Sequence, residues 1–380
     1  MQVRQLSVSA ASLAQADFAE LAGIDPQLVL VFACIEAMQD PGFAPTLAAA
    51  FPRAQRVGCS TAGEISNSGV DDGSVVVTAI HFNTPAFRIA SVDLAAMDDS
   101  RSAGQRLAAQ LAADDLSAVL IFGQGVAING SALIDGVTQG VGPGVVLTGG
   151  LAGDAGAFER SWTLSNQGVS QRAIVAIGWY GSATRVAHGS FGGWQPFGPP
   201  RRVTRARGNL LQELDGEPAL DVYKRYLGEY ARDLPASGLL FPFAMLGDDL
   251  REVGLIRTIL GIDESDGSLI LAGEVQQGGH LRLMHADTNA LVNGAQAAAR
   301  AAQAMFAAST PGLALLISCV GRKLVMGGRT DDEVEAVAQV LGAGATLTGF
   351  YSNGEISPFV GSTSCALHNQ TMTITCLYEE

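Results

Sequence analysis

One short pattern occurs near both ends of the chain, and it limits the possible folds more than any other feature. Residues 58–66 read GCSTAGEIS and residues 349–357 read GFYSNGEIS. Each copy follows an apolar run and then an amphipathic stretch. The apolar runs, residues 28–34 (LVLVFAC) and 313–319 (LALLISC), both end in cysteine. A run that is apolar throughout fits a strand covered on both faces, as in a parallel sheet. β-rich runs follow the motifs, at 75–82 and 371–378. A third, weaker copy lies between them. It has an apolar run at 118–122, a helix-compatible stretch from Gly130, a second apolar run at 145–147, the loop 149–154 (GGLAGD) and a strand-like run at 173–180. This repetition predicts an α/β fold of repeated strand–helix–strand units forming mixed sheets.

The middle of the chain breaks the pattern. Residues 192–207 are rich in glycine, proline, aromatics and arginine, and read as a linker or ordered loop. A boundary just after them gives two domains, 1–208 and 209–380. Residues 210–230 carry apolar side chains at turn spacing and read as helix. Residues 239–283 read as a strand meander with a turn at 263–267, and residues 290–308 as an alanine-rich helix.

Composition excludes several functions. The chain has 380 residues, 48% hydrophobic and only 16% charged, which argues for large cores and against disorder. Its net charge of −14 opposes sequence-independent binding to nucleic acid or to an anionic membrane surface. The two lysines, Lys224 and Lys323, do not sit in a phosphate-loop motif. No apolar run is long enough for a membrane span, and the first residues lack the core of a signal peptide. The five cysteines contain no Cys-x-x-Cys pair, so a disulfide framework is not expected. A cytoplasmic protein is the expectation.

At these motifs the chain resembles the FIST family of intracellular signal-transduction domains, which have N- and C-terminal parts. The stretches that carry the resemblance are 58–65 (GCSTAGEI), 149–154 (GGLAGD), 203–216 (VTRARGNLLQELDG), 318–327 (SCVGRKLVMG) and 349–358 (GFYSNGEISP). The resemblance implies a small-molecule sensor that passes its state to a histidine kinase or cyclase-type partner. In its length and in the ending 367–371 (LHNQT), the chain also looks like the NosP-type branch. That narrower resemblance implies haem b as cofactor, nitric oxide as the sensed gas and control of a two-component histidine kinase.

In open α/β sheets ligands collect beyond the carboxyl ends of strands, where the repeated loops sit. The candidate ligand-binding residues are therefore Cys59, Ser60, Thr61, Gly63, Glu64, Gly150, Asp154, Arg322, Tyr351, Ser352 and Glu355. The carboxylates Glu64, Asp154 and Glu355 can hold an amine or a helix N-terminus, or else simply cap tight turns. Among the histidines, His368 and His188 are the candidate haem contacts, with His368 as the iron ligand; a structural hydrogen bond is the alternative for both. Cys59 and Cys319 are either reactive thiols or small buried hydrophobes. Arg201, Arg202, Arg205 and Arg207 either meet carboxylates, such as haem propionates, or form internal ion pairs. His280 and His285 lack the carboxylate spacing of a zinc site.

No catalytic signature is present. The chain lacks a Gly-x-Ser-x-Gly elbow and a His-Glu-x-x-His helix, and Gly123-Gln124-Gly125 lacks the third glycine of a dinucleotide loop. The chain is expected not to be an enzyme. Two other readings stay open: a FIST sensor of another small ligand such as an amino acid, and a hydrolase using Ser60 or Cys59, which would need a base within reach. A purely structural scaffold is a third.

Overall fold

The computed structural model describes residues 1–306 and 311–379. Three copies of one unit build most of it. Each copy has an edge strand, a first strand, one or two helices, a second strand parallel to the first, a hairpin and a return strand. In repeat one these strands are Gln2–Ser9, Leu28–Ala33, Gln55–Ser60, the hairpin Glu64–Ser66 with Gly69–Asp71, and Ser74–His81. Repeat two uses Phe87–Asp93, Leu116–Gly123, Val146–Leu151, Thr163–Ser165 with Gly168–Ser170, and Ala173–Tyr180. Repeat three uses Thr184–Phe191, Leu313–Cys319, Thr346–Ser352, Gly354–Pro358 with Cys365–His368, and Met372–Glu379.

The apolar first strands follow from sheets covered twice. Along Leu28–Ala33, alternate side chains point to opposite faces. Leu28, Leu30 and Phe32 enter a central core, while Val29 and Val31 pack outward under helices. Ala118, Leu120 and Phe122, and then Leu313, Leu315 and Ile317, reach the same central core from the other repeats. Phe32, Phe122 and Phe350 meet there, with ring centroids 4.9–6.2 Å apart.

No repeat completes its own sheet. The hairpin of repeat one pairs with the second strand of repeat three, Ile65 opposite Gly349. The hairpin of repeat two pairs with repeat one, Leu164 opposite Gly58. The hairpin of repeat three pairs with repeat two, Ile356 opposite Gly149. The exchange runs in a closed circle. At Gly58, Gly149 and Gly349 the chain has no room for a side chain. A Cβ there would sit 1.7, 2.0 and 1.8 Å from the carbonyl oxygens of Val31, Ile121 and Leu316.

The middle segment differs from its sequence reading. Residues 192–200 are mostly ordered loop, one of the two readings, but Arg201–Arg207 is a strand that pairs with Leu210–Leu214. The stretch expected as helix from 210 begins as that second strand, and only Ala219–Leu227 is α-helix. The apolar residues Leu210, Leu211 and Leu214 suit either element, and pairing on both sides decides for a strand. The meander Phe243–Leu246, Glu252–Arg257, Ile259–Asp263, Ser268–Leu271 and His280–His285 completes a nine-stranded sheet. The expected boundary at 208 therefore falls in the turn between two paired strands. This sheet is inserted within repeat three, between its edge strand Thr184–Phe191 and its helix Thr288–Ala304. That helix is the expected alanine-rich one, whose last positions, 307 and 308, lie outside the described residues. Among the described residues no helix is long and apolar enough to cross a membrane.

Candidate functional site

The repeated loops form latches in the interior. Both oxygens of the Glu64 carboxylate are occupied. Thr61 Oγ1 donates to one, and the Ser74 amide and hydroxyl donate to the other at 2.9 and 2.8 Å. Repeat three builds the same arrangement around Glu355, with Ser352 Oγ at 2.7 Å and the Thr371 amide and hydroxyl at 3.2 and 2.9 Å. Both carboxylates are buried, and burial raises their pKa; Glu355 is pushed up to about 7. In repeat two the equivalent position is Thr163, opposite Cys59 as Glu64 is opposite Phe350. Asp154 has another role: its carboxylate accepts the amides of Phe158, Glu159 and Arg160 at 2.6–3.1 Å and shapes its own loop.

The loops also lock one another. Ala62 N donates to Tyr351 O, Tyr351 N to Gly63 O, Gly153 N to Ser60 O and Asn353 N to Leu151 O, all at 2.8–3.1 Å. Ser60 Oγ donates to Gly153 O at 2.7 Å and accepts from Trp162 N at 2.9 Å, so its partners are backbone groups and not a base. Cys59 is buried, and desolvation pushes its thiol well above the ordinary range. Gly150 packs against Ile317 in the same interior. Arg322, fully buried, pairs with Glu333 at 2.6 Å and donates to Gly192 O and Leu291 O; Tyr351 Oη donates to the same Glu333 at 2.7 Å. Among the described residues, none of the eleven candidate ligand-binding residues lines the three clefts of about 340–450 Å³. Their hydrogen bonds join loops within and between the repeats.

His368 is the candidate that does line one. A cleft of about 450 Å³ opens between repeat three and the inserted sheet. Its walls are mainly apolar, including Trp194, Val253, Ile256, Met284 and Phe359, and Arg322 holds its Gly192 edge in place. His368 Nε2 lies 2.9 Å from Ser357 O. A carbonyl only accepts, so Nε2 carries the proton and Nδ1 keeps a lone pair. Nδ1 is buried without a hydrogen-bond partner. Burial, with the Arg257 charge adding to it, holds this imidazole down to about 4 against the opposing pull of the Ser357 and Gly254 backbone, and it is therefore neutral at pH 7. Phe359 packs edge-on against the ring at 5.4 Å. His188 is buried on the edge strand opposite Thr375 and does not line the His368 cleft. Arg201 and Arg205 pair with Asp215 and Glu213, which is the internal ion-pair alternative.

A second cleft, of about 390 Å³, lies on the other side of the same strand, between repeat two and the inserted sheet. Leu367 lines this one and His368 the other. Its polar lining includes Asn129 and Glu274, which no sequence motif singles out, and Asn353, which lies within the repeated motif 349–357. The visible clue is Gly123-Gln124-Gly125 after a strand, followed by Asn129 as the cap of helix Gly130–Val141.

Family models for the FIST N domain and the FIST C domain match residues 27–217 and 219–358. The chain belongs to the FIST family. Domains of this family are associated with small-ligand sensing in signalling. An uncharacterised protein of Mycobacterium bovis is 32% identical over 198 residues, covering 50% of this chain and 49% of that protein. One from Mycobacterium tuberculosis is 31% identical over 189 residues, 48% of each. The chain thus spans about half the length of these relatives. Among solved structures, a cyanuric acid hydrolase from A. caulinodans aligns over 100% of this chain and 99% of its own at 10% identity and a TM-score of 0.38, too slight a likeness to speak for activity.

Proposed function

We propose that this FIST protein senses a small ligand held in the His368 cleft, and that the ligand is haem b, read out by nitric oxide and passed to a partner histidine kinase. The supporting observation is the neutral His368 imidazole, whose bare Nδ1 faces no hydrogen-bond donor in an apolar cleft. Neutral imidazole is a common axial donor to haem iron. Among the described residues no three His, Cys, Asp or Glu side chains come together as a metal set. A metal on His368 would therefore have to bring its other ligands with it, as a porphyrin does. Haem, when bound, would supply a gas-binding iron; His368 would offer the donor nitrogen and residues such as Trp194, Ile256, Met284 and Phe359 the apolar walls. Nδ1 is buried, so ligation would require the side chains around it to shift.

The cleft lies at the seam between repeat three and the inserted sheet, so occupancy acts on how the two bodies meet. A ligand that prefers one arrangement of that seam shifts the population a partner encounters. The test is a haemin titration of the wild type and His368→Ala followed by absorbance. Ligation predicts a stoichiometric Soret band that is lost or shifted in the folded variant and recovers with added imidazole. An unchanged spectrum and affinity in the variant would remove His368 as the ligand.

A second reading has its own observation. No lysine or arginine lines the cleft to meet haem propionates, and Glu252 lines it. That combination favours a smaller ligand with an ammonium group, such as an amino acid. Stabilisation of the protein by such a ligand, with no Soret band on haemin addition, would decide for it.

A further inference from the structure

We propose that the second cleft is a separate binding site for a small organic cation, an ammonium group on an apolar body. The proposal does not depend on haem at His368. The cleft is closed by three parts of the chain: the loop after Leu116–Gly123 of repeat two, residues 271–274 of the inserted sheet, and Asn353 of repeat three. Its walls include Ile128, Leu151, Leu271 and Leu367. Three large apolar side chains that line it are also exposed, Met97 at 51%, Leu260 at 43% and Phe158 at 36%. A cleft of this size and lining is typical of small-molecule sites.

The polar groups there fix the sign of the ligand. Glu274 is the one ionisable side chain in the lining, and it makes no ion pair among the described residues. Asn129 Nδ2 lies 3.2 Å from its carboxylate, while Asn129 Oδ1 caps the Ala132 amide, which sets the orientation of this amide. Asn353 Nδ2 faces two acceptors, Gly125 O at 3.3 Å and Asp154 Oδ1 at 3.4 Å. Asn353 Oδ1 is thereby the free end, and it is buried without a donor. A carboxylate and an unpaired acceptor both call for a donor, and a cationic donor serves them best. Arg257 fills this role only in part: its charge attracts the Glu274 carboxylate from behind Gly273, but the two form no ion pair. Its guanidinium is buried and bonds the carbonyl oxygens of Glu274 and Leu367, at 2.9 and 3.3 Å. The N-terminus of helix Gly130–Val141 also borders the cleft and favours negative charge. Glu274, bonded to the capping residue, already supplies that charge, so an anionic ligand would meet a carboxylate.

The test compares n-hexylammonium, hexanol and hexanoate at pH 7 on the full chain, by calorimetric titration and melting temperature. The expected order is hexylammonium first, hexanol weaker and hexanoate undetected. Glu274→Gln keeps the hydrogen bond from Asn129 and should weaken hexylammonium about tenfold or more. Ala272→Phe, which fills the cleft, should abolish binding. Equal affinity for hexanol and hexylammonium would overturn the proposal. So would tighter binding of hexanoate, or an unaltered affinity in Glu274→Gln.

Discussion

Glu355 shows how a residue can carry a functional look and a structural duty. Burial outweighs the hydrogen bonds from Ser352 and Thr371 and lifts its carboxyl to about 7, from an ordinary 4.5. The folded protein therefore holds that proton more tightly than the unfolded chain. Its contribution to stability is fully present below about pH 4.5 and falls away as the pH rises through about 7. Glu355→Gln should remove this fall, so the variant gains on the wild type between pH 5 and pH 8 in denaturant unfolding. A constant difference across that range would contradict the assignment. The glycines at 58, 149 and 349 make a second residue-scale case. Gly149→Ala should cost about 3 kcal/mol or more, because its Cβ would overlap the Ile121 carbonyl. The motif residues were legible as a repeat, but their partners were not. Those partners lie on other repeats, and nothing local in GCSTAGEI says that Ser60 bonds Gly153.

Among the elements, the exchanged hairpins carry the most information. Residues 64–71 (EISNSGVD) and 163–170 (TLSNQGVS) are equivalent, and an extra loop at 155–162 hides the match. Without coordinates Asp154 looked like the counterpart of Glu64; register places Thr163 there. Ile65 belongs to repeat one by sequence yet packs in the outer core of repeat three. Ile65→Ala should cost about 2–5 kcal/mol. Amide exchange should then rise first along Thr346–Ser352, which hosts the hairpin, and only later along Gln55–Ser60. Equal acceleration in both strands would argue against the exchange. The apolar first strands were legible because sheets covered on both faces need runs like LVLVFAC. Leu210–Leu214 was not, because its apolar spacing suits a helix as well as a strand.

At the level of the whole molecule, three repeats make a ring that is closed at its centre by Phe32, Phe122 and Phe350 and by interlocked loops. The centre is filled, and two clefts of about 390 and 450 Å³ open at the seams with the inserted sheet. That placement could not be read from the sequence, because the insertion interrupts repeat three and brings residues 252–256 and 271–274 against strands distant in the chain. Leu367 and His368 are consecutive on one strand and face different clefts, so one strand reports on both. In the proposed function, ligand occupancy is what a signalling partner reads. The direct measurement is autophosphorylation of the partner histidine kinase with saturating apo protein, haem-loaded protein and haem-loaded protein exposed to nitric oxide. Kinase activity is expected to differ between ligand states, with the difference lost in His368→Ala. Equal activity with all three forms would contradict it.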